Sequence, residues 1–161
     1  MIILGIDPGT RRVGFGLIEK EGSYLRLIDA GLLKISSVKD VDALGEIKEG
    51  LEKIFADYEP EVLAIEKLFF AKNRKTALQV AEARGVVLLA AKENDLKIKE
   101  FSPSEVKSAL TGYGSADKKA VLKMVGLRLK NPGLNIVDDA ADALALAIVA
   151  SDQLRFDPKR G

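Results

Sequence analysis

The sequence of 161 residues contains no cysteine and no histidine. Without cysteine, the chain cannot form a disulfide, a thiolate zinc site or a thiol nucleophile. Without histidine, it cannot carry a Ser-His-Asp triad, an HExxH metal site or imidazole acid–base catalysis. Any catalysis must therefore use carboxylates, lysine, tyrosine, serine or threonine, or a metal ion held by such groups.

Long hydrophobic runs and targeting signals are also missing. No apolar stretch approaches the roughly 18 residues of a membrane span, and the first residues lack the basic region and cleavage pattern of a signal peptide. We therefore expect a cytoplasmic protein that does not contact a membrane. The length favours one domain, placed at residues 1–152 and followed by a basic C-terminal tail at 153–161, and 47% hydrophobic residues are enough for a core.

The chain has no overall excess of positive or negative charge, since its net charge is +1. The charged residues are nevertheless unevenly distributed along the sequence. Residues 1–66 and 131–161 contain more acidic than basic residues, whereas 67–130 contain a clear excess of lysine and arginine. A basic middle between two acidic ends suits a polyanion bound around a metal site. An ordinary solvated surface would give a similar pattern, so charge alone leaves both interpretations open.

Hydrophobic periodicity predicts an α/β chain. Residues 2–6 read as a short buried strand, and 13–19 and 24–35 follow on short turns, as in an antiparallel meander. Further strands are predicted at 62–65 and 98–101, and helices at 40–57, 75–94, 103–111, 116–129 and 138–151. The third helix begins with the capping pattern Ser102-Pro103-Ser104-Glu105. The order implies a mixed five-stranded sheet with a βββαβαβα core, flanked by helices.

Four acids stand at the ends of predicted elements. Asp7 ends the first strand, Glu66 ends the fourth, and Asp139 and Asp142 share one face of the last helix. Clustered carboxylates repel one another and need a cation, and oxygen ligands suit Mg²⁺ or Mn²⁺. Two such ions can activate water and stabilise the leaving oxygen in phosphodiester cleavage. The sequence therefore predicts a metal site on these four acids.

Simpler interpretations compete for the same acids. A single acid at a strand end is usually a cap or a turn acceptor, and Asp138 fits the N-cap of the last helix. Asp138 also lies four residues before Asp142, on the same helical face. The small residues Ala140 and Ala141 favour the 139/142 pair, because they let the helix lie close to the sheet.

Two features near the first strand stay ambiguous. Gly14 and Gly16 leave one face of the second strand bare, where either a DNA backbone or a helix could come close. Arg11 and Arg12 follow Asp7 and could either contact phosphate or cap the turn.

The chain resembles the RuvC family of bacterial Holliday junction resolvases in four segments, in order and at the expected spacing: GIDPGTRRVGFGLIE, AIEKLFFAKNRKTALQVAEARGV, FSPSEVKSALTGYGSADKKAV and DDAADALALAI. The resemblance implies a ribonuclease-H-like fold and a homodimer that makes paired symmetric nicks across a four-way DNA junction in recombination and repair. It also implies dependence on a divalent metal and cleaved ends that ligase can seal. Together with the four acids, this predicts two Mg²⁺ ions in each active site, with Mn²⁺ as a substitute, and ends that carry a 5′-phosphate and a 3′-hydroxyl. The RuvA–RuvB branch-migration complex is the partner that it implies.

The resemblance assigns roles to individual residues. The catalytic acids of the family fall on Asp7, Glu66, Asp139 and Asp142, and its dimer helix falls on residues 75–94. Its base-contacting aromatic falls on Phe69 and its phosphate-contacting lysines on Lys107 and Lys118, with Lys119 adjoining. The neighbouring basic residues fit phosphate contacts beside a stacked base, which gives the predicted DNA-binding set of Phe69, Lys72, Arg74, Lys75, Lys107, Lys118 and Lys119.

Three other functions compete with this one. An actin-like ATPase or sugar kinase also opens with a Gly-Ile-Asp-x-Gly-Thr turn, but it needs two domains and a longer chain. A ribonuclease-H-like nuclease acting on RNA would share the metal acids, so only the basic, aromatic segment at 67–75 favours a junction resolvase. A DNA-binding module without catalysis leaves the acid cluster unexplained.

Overall fold

The computed structural model describes residues 1–9, 11–68 and 74–154, with side chains of the last range described from residue 76 onward. Of the predicted basic tail, only Gln153 and Leu154 lie within these ranges. Leu154 is buried, and its carbonyl accepts a hydrogen bond from Lys20 Nζ at 3.0 Å. None of the helices in the described part of the chain is both long and apolar enough to cross a membrane.

A single sheet of five strands forms the centre of the fold. The strands are β1 (Ile2–Asp7), β2 (Gly14–Glu21), β3 (Tyr24–Leu32), β4 (Val62–Glu66) and β5 (Lys97–Phe101), and their spatial order is β3-β2-β1-β4-β5. The first three strands pair antiparallel, whereas β4 runs parallel to both β1 and β5. The predicted meander and the predicted mixed five-stranded sheet are therefore confirmed.

Helices cover both faces of this sheet and close two hydrophobic cores. They are α1 (Asp40–Tyr58), α2 (Arg74–Glu93), α3 (Pro103–Thr111), α4 (Lys118–Arg128) and α5 (Asp138–Gln153). Because side chains alternate along a strand, β1 sends Ile3 into the core beneath α3, α4 and α5. It sends Leu4 and Ile6 into the core beneath α1 and α2.

Helix α5 lies directly on glycines of β1 and β2. A Cβ atom added at Gly5 would lie 1.8 Å from the carbonyl oxygen of Ala143, and one added at Gly14 would lie 2.1 Å from that of Asp139. At Gly16 it would meet the Leu144 side chain at 2.7 Å. The bare face predicted for β2 therefore receives a helix rather than a DNA backbone, because only glycine leaves room for main chain at this distance.

The helix starts show one confirmed and one wrong prediction. Ser102 caps α3 with the predicted reciprocal hydrogen bonds to Glu105. Asp138 is not the N-cap of α5, because Val137 occupies that position and makes no side-chain cap. Asp138 is instead the first helical residue, and its carboxylate accepts a hydrogen bond from Lys118 Nζ at 3.4 Å, so an ion pair replaces the local cap. The start of α4 differs slightly from prediction, since Asp117 is its N-cap.

Candidate active site

The ends of β1 and β4 bring two of the predicted acids to one edge of the sheet. The two strands are parallel and their last paired residues are Ile6 and Ile65. Asp7 and Glu66 are each the next residue in the chain, so both acids lie at the same level on adjacent strands. Parallel strands give this placement automatically, because their carboxyl ends point the same way.

Helix α5 supplies the other two acids from above. Asp7 pairs with Gly14 across the β1–β2 ladder, and the close approach at Gly14 is to the main chain of Asp139. One turn further along, Asp142 lies on the same helical face as Asp139. The glycine contact thus fixes the start of α5 beside the ends of β1 and β4.

The pKa of Asp7 shows that the four acids interact. Partial burial, followed by the charges of Asp142, Glu66 and Asp139, raises the pKa of Asp7 from 3.8 to about 7, although Lys118 opposes the rise. Burial and the charge of Asp142 also raise the pKa of Glu66. These carboxylates therefore form one electrostatic cluster, in which Asp7 holds a proton close to neutral pH in the absence of a cation.

Geometry and charge also separate Asp139 from its competitor Asp138. Asp139 raises the pKa of Asp7, although Asp138 and Asp139 both raise the pKa of Asp142. The Asp138 side chain is 74% exposed, against 27% for Asp139. The structure therefore favours Asp139 as the member of the cluster.

Two basic side chains lie against the acids of α5. Arg12 Nε donates to Asp139 Oδ2 at 2.8 Å, and Lys118 Nζ lies 3.9 Å from Asp142 Oδ2. Arg12 therefore contacts an acid of α5 in the structure, where the sequence left a phosphate contact and a turn cap both open. Its neighbour Arg11 turns the other way and donates to Asp40 Oδ1 at 2.7 Å.

The donor set fits a hard divalent cation. Within residues 1–9, 11–68 and 74–154, no three acids are drawn together closely enough to form a ready-made ion site. The cluster nevertheless offers only carboxylate oxygens, which Mg²⁺ and Mn²⁺ prefer. Burial and repulsion among the acids together raise the pKa of Asp7, and a bound cation would relieve the repulsion, so the residues present fit a divalent metal ion.

A cavity of about 230 Å³ opens beside Glu66 and Asp142. Lys107 of α3 and Lys118 of α4 line it with these acids. Burial raises the pKa of both Glu66 and Asp142, and Lys107 opposes this rise. The apolar lining comes from Pro103, Val106, Val121, Ala145 and Leu146. The structure therefore places both predicted phosphate-binding lysines at the acid cluster, in a recess that an anion can enter.

The other predicted DNA-binding residues are less well placed by the structure. Lys119 follows Lys118 in α4 and is exposed. Phe69 and Lys72 lie outside the described residues, and Arg74 and Lys75 begin α2 with only their main chain described. Their roles in DNA binding stay predictions.

Helix α2 has one covered and one open apolar face. Ala83, Val87, Ala90 and Ala91 are buried against the sheet and α1. On the opposite side, Leu78 is 68% exposed and Leu89 is 56% exposed. The resemblance assigns a dimer helix to residues 75–94, and the described part of the chain covers one of its two apolar faces.

Sequence reasoning missed the contacts of two arginines. Arg12 pairs with an acid 127 residues away in the chain, and Arg84 donates from α2 to the main-chain carbonyl of Glu66 at 3.0 Å. The only sequence signal for Arg84 is a charged residue that interrupts the apolar, alanine-rich pattern of its helix. The hydrophobic periodicity of a sequence does not indicate which distant residue a long charged side chain contacts.

Comparisons with known proteins find relatives over nearly the whole length of the chain. A family model described as "Crossover junction endodeoxyribonuclease RuvC" matches residues 3–150. A protein of that name from Halothermothrix orenii is 45% identical over 162 residues, which cover 100% of this chain and 98% of that protein. The structure of Thermus thermophilus RuvC matches with a TM-score of 0.85 at 32% identity, covering 95% of each chain. The same protein in complex with a Holliday junction substrate matches with a TM-score of 0.84 at 32% identity, covering 92% of each chain. The predicted ribonuclease-H-like fold is thereby confirmed.

Proposed function

This chain belongs to the RuvC family of crossover junction endodeoxyribonucleases, and we propose that its carboxylate cluster hydrolyses the DNA of four-way junctions. The protein is a nuclease that acts on Holliday junctions in recombination and repair. The observation that supports this site is the convergence of four acids: besides burial, the charges of Asp142, Glu66 and Asp139 all raise the pKa of Asp7. Repulsion among carboxylates is relieved when a cation binds between them.

Asp7, Glu66, Asp139 and Asp142 would hold two Mg²⁺ ions, with Mn²⁺ as a substitute. When bound, such ions supply the positive charge that activates water and stabilises the leaving oxygen of a phosphodiester. Displacement of the 3′ oxygen leaves a 5′-phosphate and a 3′-hydroxyl.

Residues of the chain itself control the charge of the acid cluster before the ions bind. Asp7 gives up its proton when a cation binds, because a metal ligand must be deprotonated. Arg12 and Lys118 pair with acids of α5 in the structure, and these carboxylates would leave the two cations in order to hold the ions. Lys118 and Lys107 then stand beside the acids with their positive charge available to phosphate.

The DNA contacts follow from the same geometry. Lys107 and Lys118 line the recess at the acids, where a phosphate close to the reacting bond would lie, and Lys119 extends this basic edge along α4. Phe69 is proposed to stack on junction bases, with phosphate contacts from Lys72, Arg74 and Lys75 beside it.

Assembly as a homodimer through the 75–94 helix is part of the proposal. The open face of α2 carries Leu78 and Leu89. A Cβ atom added at Gly85, between them in the chain, would meet no atom within 4 Å, so a second helix can approach closely. A two-fold dimer would direct two active sites at opposing strands of like polarity.

The proposal also includes a location and a partner. A protein that acts on chromosomal junctions would work in the cytoplasm, and it would work together with the RuvA–RuvB branch-migration complex.

A substrate panel tests the function. With Mg²⁺, the protein should cut a synthetic four-way junction in paired symmetric nicks at least about tenfold faster than linear duplex or an RNA–DNA hybrid of the same sequence. Light scattering on the same preparation should give the mass of two chains. Preferential cleavage of the hybrid would instead indicate a nuclease acting on RNA, and a mass of one chain would contradict the dimer.

The proposed role of the two lysines at phosphate predicts a change in salt dependence. Replacing Lys107 or Lys118 by alanine should weaken junction binding and reduce the slope of log affinity against log salt by about 0.9 for each phosphate that is no longer neutralised. Fluorescence anisotropy over a salt series, in Ca²⁺ to prevent cleavage, measures both quantities. Lys53→Ala is the control, because Lys53 is exposed on α1, across the sheet from the cluster. An unchanged slope would remove that lysine from the interface.

A further inference from the structure

We propose that Arg84 is a positioning residue for the reaction: it fixes the peptide group that follows Glu66 and thereby orients the Glu66 carboxylate. This inference rests on the proposed function of Glu66 as a metal ligand. It concerns a residue of α2 that lies outside the acid cluster and acts on the cluster through the main chain.

The peptide group between Glu66 and Lys67 is held from two sides. Its carbonyl oxygen accepts a hydrogen bond from Arg84 Nε at 3.0 Å. Its N–H, which belongs to Lys67, donates to the carbonyl of Phe101 on β5 at 2.7 Å. Both polar atoms of one peptide unit are therefore fixed, one by a helix and one by a strand.

The hydrogen bond from Arg84 lies at the end of β4, where pairing with the neighbouring strands stops. The pairing of β4 with β1 ends at Ile65, so Glu66 lies beyond the last residue that β1 holds. The pairing with β5 ends at Glu66 itself. Without Arg84, the carbonyl of Glu66 would lose its hydrogen bond from α2 at the point where the candidate metal ligand must be placed accurately.

Arg84 is itself held in place. Its side chain is only 16% exposed, and its guanidinium pairs with the carboxylate of Glu100 on β5. A planar guanidinium can satisfy a carboxylate and a carbonyl at once, because its donors point in fixed and different directions. Arg84 thus ties α2, β5 and the end of β4 into one unit.

The Arg84 hydrogen bond acts on Glu66 through the main chain. Arg84 Nε donates to the carbonyl oxygen of Glu66, and its charge is paired with the carboxylate of Glu100. Hydrogen-bond partners behind a metal ligand typically change metal affinity or activity by about 10- to 100-fold when they are removed. An effect of this size is expected without loss of DNA binding.

Arg84→Gln tests the inference with three measurements on the full chain. Turnover of a four-way junction at saturation should fall about 10- to 100-fold, while junction affinity in Ca²⁺ changes less than about twofold. Calorimetric titration of the DNA-free protein with Mn²⁺ should show about tenfold weaker binding. Arg84→Lys keeps the charge but not the two-directional donors, so it should recover only part of each loss.

Arg128→Gln is the matched control. Arg128 likewise makes two hydrogen bonds, but both go to the carboxylate of Asp152, and it contacts none of the four acids among the described residues. A purely structural role for Arg84 would lower the melting temperature of both variants and leave Mn²⁺ affinity and turnover of the folded protein unchanged. Parental Mn²⁺ affinity and turnover in folded Arg84→Gln, or full recovery by Arg84→Lys, would overturn the inference.

Glu66→Gln separates this inference from the proposed function. If Glu66→Gln is inactive and Arg84→Gln behaves like the parent, only the positioning role fails. If Glu66→Gln itself cleaves and binds Mn²⁺ like the parent, then Glu66 is not a ligand and the proposed site fails with it. Should Arg84→Gln not fold, Arg84→Lys supplies the same comparison of Mn²⁺ affinity and turnover.

Discussion

Asp7→Asn is expected to reduce the rate of junction cleavage in Mg²⁺ by about a thousandfold or more. Asp7 lies at the centre of the cluster, since the three other acids all raise its pKa, and asparagine removes its charge with almost no change in shape. A bound metal ion contributes several kcal/mol of transition-state stabilisation, and each 1.4 kcal/mol or so corresponds to a tenfold change in rate. Single-turnover cleavage of a synthetic four-way junction measures the loss, and anisotropy in Ca²⁺ checks that the junction still binds.

Two comparisons sharpen this result. In the parent, Mn²⁺ affinity should rise with pH up to about 7 as Asp7 loses its proton, and this rise should be much weaker in Asp7→Asn. Asp139→Asn should be inactive, whereas Asp138→Asn, with its exposed carboxylate, should cleave within a few-fold of the parent. Parental cleavage by Asp7→Asn would refute the site, and the reverse order of the last two variants would show that Asp138 is the ligand.

Gly5→Ala is expected to reduce the free energy of unfolding by at least about 3 kcal/mol, or to prevent folding altogether. The added Cβ would lie 1.8 Å from the carbonyl oxygen of Ala143 and 3.1 Å from the nitrogen of Ala147. Both atoms are main chain of α5, so no side-chain rotation can relieve the clash. Overpacking of a well-filled core commonly costs about 1–3 kcal/mol even where side chains can adjust, and a domain has only about 5–15 kcal/mol in total. Urea denaturation followed by circular dichroism measures the change.

Gly45→Ala is the matched control for this substitution. Gly45 lies inside α1, and a Cβ there meets no atom within 4 Å, so alanine should stabilise the protein by about 0.5–1 kcal/mol through helix propensity. If Gly5→Ala unfolds at the same urea concentration as the parent, α5 cannot lie on β1 as closely as the structure has it. The placement of Asp139 and Asp142 beside Asp7 would then need a different explanation.

Much of the fold could be predicted because its signals are local. A continuous β-branched run predicts β1, and the capping pattern at Ser102 predicts the start of α3, which the structure confirms. The shared level of Asp7 and Glu66 follows once β1 and β4 pair in parallel, because parallel strands have their carboxyl ends at the same edge of the sheet. These predictions need only backbone periodicity and the usual rules of chain connection.

Other features of the site depend on contacts that no local pattern reports. Asp138 fits an N-cap by residue type, yet Val137 takes that position and Asp138 pairs with Lys118. Whether Gly14 faced DNA or a helix was equally undecided, since both need an open strand face. The outcome in each case depends on an element far away in the chain.

The sequence by itself determined which groups can perform the chemistry and which elements carry them. A chain without histidine or cysteine leaves carboxylates and metal ions, and the ends of β1, β4 and the start of α5 carry those carboxylates. Only the tertiary structure decided how the acids are held: Arg12 on Asp139, and Arg84 behind Glu66. The physical reason is that periodicity reports the direction of a side chain from its own backbone. The partner of a long side chain depends instead on which distant element packs against it.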